Sequence, residues 1–296
     1  MKVALIGANG QLGSDIVSHF SQCDRYQLTA FTRADLDITQ PEIVHHVLTS
    51  EKFDVVINSA AYVRVDDCED LVDTAFNVNA IAALNIARAA REIDALSVYI
   101  STDYVFRGDR PAPYTESDIP DPINIYGTSK LTGEYLVRQT SQKSLILRIS
   151  SVFGKAGASG KGGNFVETMI KKAKAGDRLK VVNDIFMSPT YTYDAARLLD
   201  ALLQAGTTGI IHGANAGQCS WHEFATQVLS LANIEHPIEP ISSSQFPTKA
   251  TRPANSALIS DRLDSILDLK LGSNPTFKMR PWQEALIAYL IEKSHR

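Results

Sequence analysis

The chain has 296 residues, 44% of them hydrophobic and 21% charged, with a formal net charge of −4. It is longer than the roughly 100–200 residues of one typical domain, so one large domain, or a main domain with a lobe, and a sizeable core are expected. No basic excess, charge block or run of about 18 apolar residues occurs, which excludes nucleic acid and membrane as expected partners. Cys23, Cys68 and Cys219 are too few and too widely spaced for a disulfide framework or a cysteine zinc site, and a cytoplasmic protein is expected.

In chain order, Lys2 to Ile6 is apolar after its first residue, as in a parallel strand buried on both faces. It leads into Gly7-Ala8-Asn9-Gly10-Gln11-Leu12-Gly13 and then a helical pattern through Phe20. Strand, glycine-rich turn and helix form the context in which backbone approaches a pyrophosphate and a helix N-terminus meets its charge. Gln27 to Phe31 reads as a second strand, ending at Thr32 and Arg33. Thr39 is the expected N-cap of the next helix, with Pro41 in its first turn and Glu42 completing a capping box. A third strand (Asp54 to Asn58), a long helix (Asn77 to Ile93) and a fourth strand (Ser97 to Ser101) follow.

Tyr126 and Lys130 stand four apart in a predicted helix from Tyr126 to Gln139, so both side chains share one face. An ammonium beside a phenol favours the phenolate and is expected to lower the tyrosine pKa, which suits proton transfer at a carbonyl or alcohol. Thr102, just past the fourth strand, adds a hydroxyl aimed at the same oxygen. Leu145 to Ile149 is a fifth strand. This alternation predicts an α/β fold, a Rossmann-like doubly wound parallel sheet with right-handed crossovers and ligands at the strands' carboxyl ends.

Gly154 to Gly163 holds five glycines in ten residues and is expected to be a flexible loop over the site. Helix (Asn164 to about Ala175), strand (Leu179 to Asn183), helix (Thr192 to Leu203) and strand (Gly209 to His212) follow. Ser220 and Glu223 form a second capping box opening a helix to Ala232; Ile234 to Asn255 should be mostly loop, and Pro281 to Ile291 an amphipathic helix. The expected division is a dinucleotide-binding domain, 1–152, and a smaller C-terminal substrate-binding lobe, 153–296, with segments near 179–213 returning to the first. His45 and His46 face different ways on one helix, and His19, His212, His222, His236 and His295 are scattered. With no H-E-x-x-H and no nucleophile elbow, no metal site is expected.

The glycine turn, Asn58-Ser59-Ala60-Ala61-Tyr62, Ser101-Thr102-Asp103-Tyr104-Val105-Phe106 and Tyr126-Gly127-Thr128-Ser129-Lys130 together resemble the extended short-chain dehydrogenase/reductase superfamily. Asp35-Leu36-Asp37-Ile38-Thr39 belongs to the same group, and Gly162-Gly163-Asn164-Phe165, Ser188-Pro189-Thr190, Arg252-Pro253-Ala254-Asn255-Ser256 and Met279-Arg280-Pro281-Trp282 narrow the likeness to the dTDP-4-dehydrorhamnose reductase family. The resemblance implies reduction of the C4 ketone of dTDP-4-dehydro-L-rhamnose by a nicotinamide cofactor. Tyr126 would protonate the developing alkoxide, Thr102 would hydrogen-bond it, and Lys130 would hold the nicotinamide ribose. It implies cofactor contacts from Gly7, Asn9, Gly10, Gln11, Leu12 and Gly13, from Asp37 and Ile38 near the adenine, and from Ala60, Ala61 and Tyr62. Substrate contacts are expected from Thr102, Asp103, Tyr126, Ser151, Asn164, Arg252 and Asn255.

Thr32 stands where many relatives carry an acid, and Arg33 offers donors for a 2′-phosphate, so NADPH is expected, with NADH as the second choice. Two departures accompany the likeness. Ser151 occupies the position of a tryptophan that lies over the sugar in many members, and Thr192-Tyr193-Asp194 matches poorly the acidic pattern by which some members bind magnesium and dimerise. A homodimer is one expected assembly. Other readings are a cofactor-binding regulatory subunit of the methionine adenosyltransferase type, or another sugar-nucleotide reductase or epimerase.

Overall fold

The structure is a computed structural model that describes residues 1–157, 163–271 and 278–294. Residues 158–162 of the expected glycine-rich loop, and His295, lie outside the described residues. The first half alternates strand and helix: β1 (Lys2–Ile6), α1 (Gln11–Phe20), β2 (Gln27–Phe31), α2 (Pro41–Ser50), β3 (Val55–Asn58), α3 (Val65–Cys68), α4 (Val72–Phe76), α5 (Ala82–Glu92), β4 (Leu96–Thr102), α6 (Ile125–Thr140) and β5 (Ser144–Ile149). The second half runs β6 (Val152–Phe153), α7 (Phe165–Lys174), β7 (Leu179–Val182), β8 (Phe186–Met187), β9 (Thr190–Tyr191), α8 (Thr192–Gln204) and β10 (Gly209–His212). It ends with β11 (Cys219–Ser220), α9 (Trp221–Leu231), β12 (Ile238–Ile241), α10 (Leu263–Leu271) and α11 (Trp282–Ser294).

Six strands make one parallel sheet in the order β2-β1-β3-β4-β5-β10. Along β1, Val3 and Leu5 pack toward α1 and α8, while Ala4 and Ile6 pack toward α2 and α5. That alternation buries both faces, which is why the strand reads as unbroken apolar sequence. The order reverses between β1 and β3, and a doubly wound sheet opens a crevice at such a switch point. Among the described residues no helix is long and apolar enough to cross a membrane.

The second half divides between two cores. Helix α8, strand β10 and helix α10 join the sheet, contributing Leu198, Leu202, Ile211 and Leu263 to its core. Asp200 of α8 ties that helix to α1 and the chain after it, accepting from Tyr26 Oη (2.6 Å) and Arg25 Nε (3.2 Å) and pairing with His19 Nε2 (2.9 Å). The remainder packs around Phe153, Tyr191, Phe224, Trp282 and Tyr289 as a separate lobe.

Several expectations are corrected. Thr39 does not cap α2: its hydroxyl donates to Asp37 Oδ1 (2.8 Å), and Gln40 takes the cap position without a side-chain bond. The long helix expected from Asn77 begins earlier, at α4, and passes through a π turn, Asn77–Ile81, before α5. The stretch from Ile234 to Asn255 is mostly loop as expected, but it contains β12, which pairs with β7 as an edge strand and so tolerates Pro240. Helix α10 was not expected.

Candidate active site

The carboxyl ends of β1, β3 and β4 meet the start of α6 around a cleft of about 830 Å³. β1 delivers Gly7 in a left-handed conformation (φ +84), where a Cβ would come within 2.8 Å of the Ala60 backbone nitrogen. The first glycine is therefore required by the close approach of the β1 and β3 turns. Gly13 packs on the Gly7 carbonyl, which a Cβ would approach to 2.1 Å, so it serves the fold behind the cleft wall. Asn9, Gly10, Gln11 and Leu12 line the cleft. Gln11 Oε1 is buried there with no hydrogen-bond partner among the described residues. A glycine cradle with an orphaned acceptor beside it fits a bound dinucleotide.

The Ala60-Ala61-Tyr62 segment also lines the cleft. It is held by Asn79, whose Oδ1 accepts from Tyr62 N (2.8 Å) and whose Nδ2 donates to Tyr62 O (3.2 Å) and Ser129 Oγ (3.0 Å). Asn79 sits in the π turn, fully buried, and its own carbonyl accepts from Tyr99 Oη (2.6 Å). The extra residue of the π turn thus aims one amide at both the Ala60-Ala61-Tyr62 side of the cleft and α6.

Helix α6 starts where Asn124 Oδ1 accepts from Gly127 N (2.7 Å), and Gly127 lies so close to the Tyr104 carbonyl that a Cβ would come within 2.1 Å of it. This contact sets Tyr126 edge-on to Tyr104, with ring centroids 6.0 Å apart. Tyr126, Lys130 and Thr102 all line the cleft. Lys130 Nζ donates to Ile100 O (2.6 Å) and lies 3.9 Å from the centre of the Tyr99 ring. Burial lowers its pKa to about 7, against the pull of Glu134. The expected acidification of Tyr126 does not appear: burial raises the phenol well above its ordinary value, opposed by the Thr102 hydroxyl. Desolvation is the largest influence on the phenol.

Asp103 follows Thr102 and is 3% exposed. Its Oδ2 accepts from Ser150 Oγ (2.8 Å) and Ser256 Oγ (2.5 Å), and its Oδ1 from Thr102 Oγ1 (3.0 Å). Burial nevertheless pushes its pKa up to about 6, so desolvation exceeds the help of three hydroxyls. Behind this layer Glu134 accepts from Arg148 Nε (2.9 Å), Arg148 Nη2 (2.6 Å) and Ser101 Oγ (2.5 Å). Both ionised groups are buried.

The other expected residues divide. Arg33, Asp37 and Ile38 line one end of the cleft; Ser151 and Asn164 line the other. Ser151 holds a left-handed backbone (φ +44), unusual for a residue with a side chain. Asn164 spends its side chain on structure, capping Glu167 N (3.0 Å) and donating to Gly154 O (2.8 Å). Thr32 does not line the cleft, because its backbone N and Oγ1 both donate to Asp35 Oδ2 (2.9 and 2.7 Å). Arg252 stands beside Tyr104, 6.0 Å from its ring centre, paired with Asp66 (2.8 Å) and with Nη1 buried and unpartnered among the described residues. Asn255 is likewise outside the cleft wall, donating to Arg110 O (3.0 Å) and Pro111 O (2.8 Å).

Sequence reasoning missed Asn79, Glu134, Phe165 and Trp221. Glu134, four residues after Lys130, was open to the spacing argument that paired Tyr126 with Lys130. The two aromatics read like any core residue, and nothing local marks them as cleft wall.

The chain matches the RmlD substrate binding domain family over residues 1–294. It is 40% identical over 293 residues to the spore coat polysaccharide biosynthesis protein SpsK of Bacillus subtilis, covering 99% of this chain and 98% of that protein. It is 36% identical to the dTDP-4-dehydrorhamnose reductase of Aggregatibacter actinomycetemcomitans, over 96% of this chain and 97% of the relative. Among solved structures it resembles the dTDP-4-dehydrorhamnose reductase of Bacillus anthracis in complex with NADP, with a TM-score of 0.90, 38% identity and coverage of 98% and 99% of the two chains.

Proposed function

The chain belongs to the RmlD substrate binding domain family, and from that premise we propose that it is a sugar-nucleotide reductase that uses NADPH to reduce the C4 ketone of dTDP-4-dehydro-L-rhamnose to dTDP-L-rhamnose. The observation that carries this reading is the presence of Thr102, Tyr126 and Lys130 on the wall of the same cleft as the glycine turn. A reduced nicotinamide bound in this cleft supplies the hydride. Tyr126 gives the proton to the substrate oxygen, and a phenol whose pKa burial has raised is in the protonated form that this step needs. Thr102 positions the oxygen beside Tyr126. Lys130, held by the Ile100 carbonyl and with only that bond among the described residues, keeps protons for the cofactor's ribose.

Arg33 at the adenine end supports NADPH over NADH, since its guanidinium suits a phosphate and Asp35, the nearby acid, is bonded to Thr32. The B. subtilis relative and Ser151 at the sugar position support a second reading, reduction of a different 4-keto sugar nucleotide.

The test is a panel of dTDP-, UDP- and GDP-linked 4-keto sugars, with NADPH and NADH consumption followed for the parent protein and Tyr126→Phe. Turnover is expected with dTDP-4-dehydro-L-rhamnose, faster with NADPH, and a drop by roughly 10²–10⁴ in Tyr126→Phe at little-changed cofactor affinity. Turnover confined to another sugar moves the assignment to that sugar; unimpaired Tyr126→Phe removes the proposed acid.

A further inference from the structure

We infer that Glu134 is a positioning residue for Lys130: its carboxylate keeps the lysine ammonium charged in the cleft wall and leaves the ammonium protons free for the cofactor's ribose. The use of those protons rests on the reductase reading above; the charge itself does not. Lys130 is 2% exposed. Its Nζ has one hydrogen-bond acceptor among the described residues, Ile100 O, and the face of the Tyr99 ring 3.9 Å away. A carbonyl and a ring do not replace the water lost around an ammonium. Burial accordingly brings the lysine down to about 7, close enough to neutrality for one neighbouring charge to decide its protonation state.

That charge is Glu134. Helix α6 places it four residues after Lys130 on the same face. Strand β4 anchors the two groups side by side: Ile100 O accepts from Lys130 Nζ, and Ser101 Oγ, on the next residue, donates to Glu134 Oε1 (2.5 Å). Arg148 stands opposite Ser101 on β5 and holds both carboxylate oxygens. Of this pair, only the carboxylate acts on the ammonium. The other titratable groups around it add no supporting charge. Burial keeps the Tyr99 and Tyr126 phenols protonated. His212, behind Arg148, is held neutral by burial and by the guanidinium, at about 4. Asp103 spends its oxygens on three hydroxyls. A carboxylate bonded directly to Lys130 would take the protons that the ribose needs; one set back against Arg148 supplies its field and takes none. Stability alone does not account for the pair, since a buried ion pair holds a fold no better than apolar side chains of similar size.

Carbon-13 NMR of labelled lysines in the ligand-free protein reads this charge without turnover, the Lys130 signal being the one that Lys130→Met removes. In the parent, Lys130 is expected to titrate with a midpoint of about 7. Glu134→Leu combined with Arg148→Met takes away the carboxylate together with its buried partner, so no unpaired ion remains. Without the carboxylate the charged lysine is less favoured, and the midpoint is expected to fall by about one pH unit or more, a tenfold change in the acid constant. Glu134→Gln, which keeps the side chain's shape, should show the same fall, and Glu134→Asp, which keeps its charge, a smaller one. NADP⁺ affinity should weaken with rising pH in the parent, and should begin to weaken at lower pH in the two variants that lack the carboxylate. Either of those variants, once folded, decides the case. A Lys130 midpoint at the parent's value overturns the proposal, as does a lowered midpoint with the parent's pH dependence of NADP⁺ binding. If a 4-keto sugar nucleotide is reduced while the midpoint stays in place, the role of Glu134 falls and the reductase stands. If the midpoint falls but the parent reduces no keto sugar, the hold of Glu134 on the lysine charge stands and the reductase falls.

Discussion

At Gly10 an added Cβ would lie 3.3 Å from the Gly7 carbonyl oxygen, whereas at Gly13 it would lie 2.1 Å from the same atom. Gly10 also has an ordinary extended backbone as the N-cap of α1 (φ −75). The two glycines therefore meet different constraints: the fold requires Gly13, whereas Gly10 has more room and lines the cleft. Gly10→Ala should fold with a melting temperature close to that of the parent, yet lose roughly tenfold in NADP⁺ affinity, because the methyl occupies the approach to the pyrophosphate. Gly13→Ala should instead cost about 1–3 kcal/mol of stability through overpacking against the β1 turn. Urea unfolding and NADP⁺ titration of both variants separate the cases; a stable Gly13→Ala, or a Gly10→Ala with full affinity, contradicts the assignment.

Helix α6 carries Tyr126, Lys130 and Glu134 at successive fours, so one face presents first the proposed proton donor, then the ammonium proposed to hold the ribose, then a buried carboxylate. Only Tyr126 and Lys130 reach the cleft; Glu134 is locked to Arg148 from β5. Glu134→Gln would leave the Arg148 guanidinium buried against a neutral partner, a loss of about 3–5 kcal/mol in unfolding free energy. Replacing both, with Glu134→Leu and Arg148→Met, should recover most or all of that loss, since a buried pair is costly to desolvate. A Glu134→Gln protein with the parent's urea midpoint would show that the pair does not contribute. The helix itself, its start within one residue and its end within one, was legible from spacing; the pairing with Arg148 was not, because β5 supplies it from 14 residues away.

Residues 1–152 do not complete the sheet or its core, and the segment near 179–213 expected to return to them includes α8 and β10. Helix α8 covers the same face of the sheet as α1, β10 extends the sheet beyond β5, and Tyr26 reaches Asp200 across 174 residues. An excised segment 1–152 would expose Ile16, Leu145 and Leu147, all fully buried in the complete chain. It is expected to lack a cooperative urea transition, whereas the full chain unfolds cooperatively. A sharp transition with native-like circular dichroism in 1–152 would make that boundary a true domain limit.

What residue order alone determined is what neighbours along the chain can encode. Unbroken apolar runs specified strands buried on both faces, the glycine turn after β1 specified a tight backbone, and a spacing of four put Tyr126 and Lys130 on one side of a helix. Tertiary structure decided the rest. Thr39 looked like a cap until Asp37 took its hydroxyl, and the helix expected from Asn77 opens with a π turn, Asn77–Ile81, in which Asn79 bonds both Tyr62 and Ser129. The charge state of the site followed the same rule: spacing predicted an acidified Tyr126, but the phenol's pKa is set by desolvation in a cleft closed by residues from both halves. Propensity and periodicity act over a few residues, whereas burial and long-range pairing exist only once segments far apart in the chain have met.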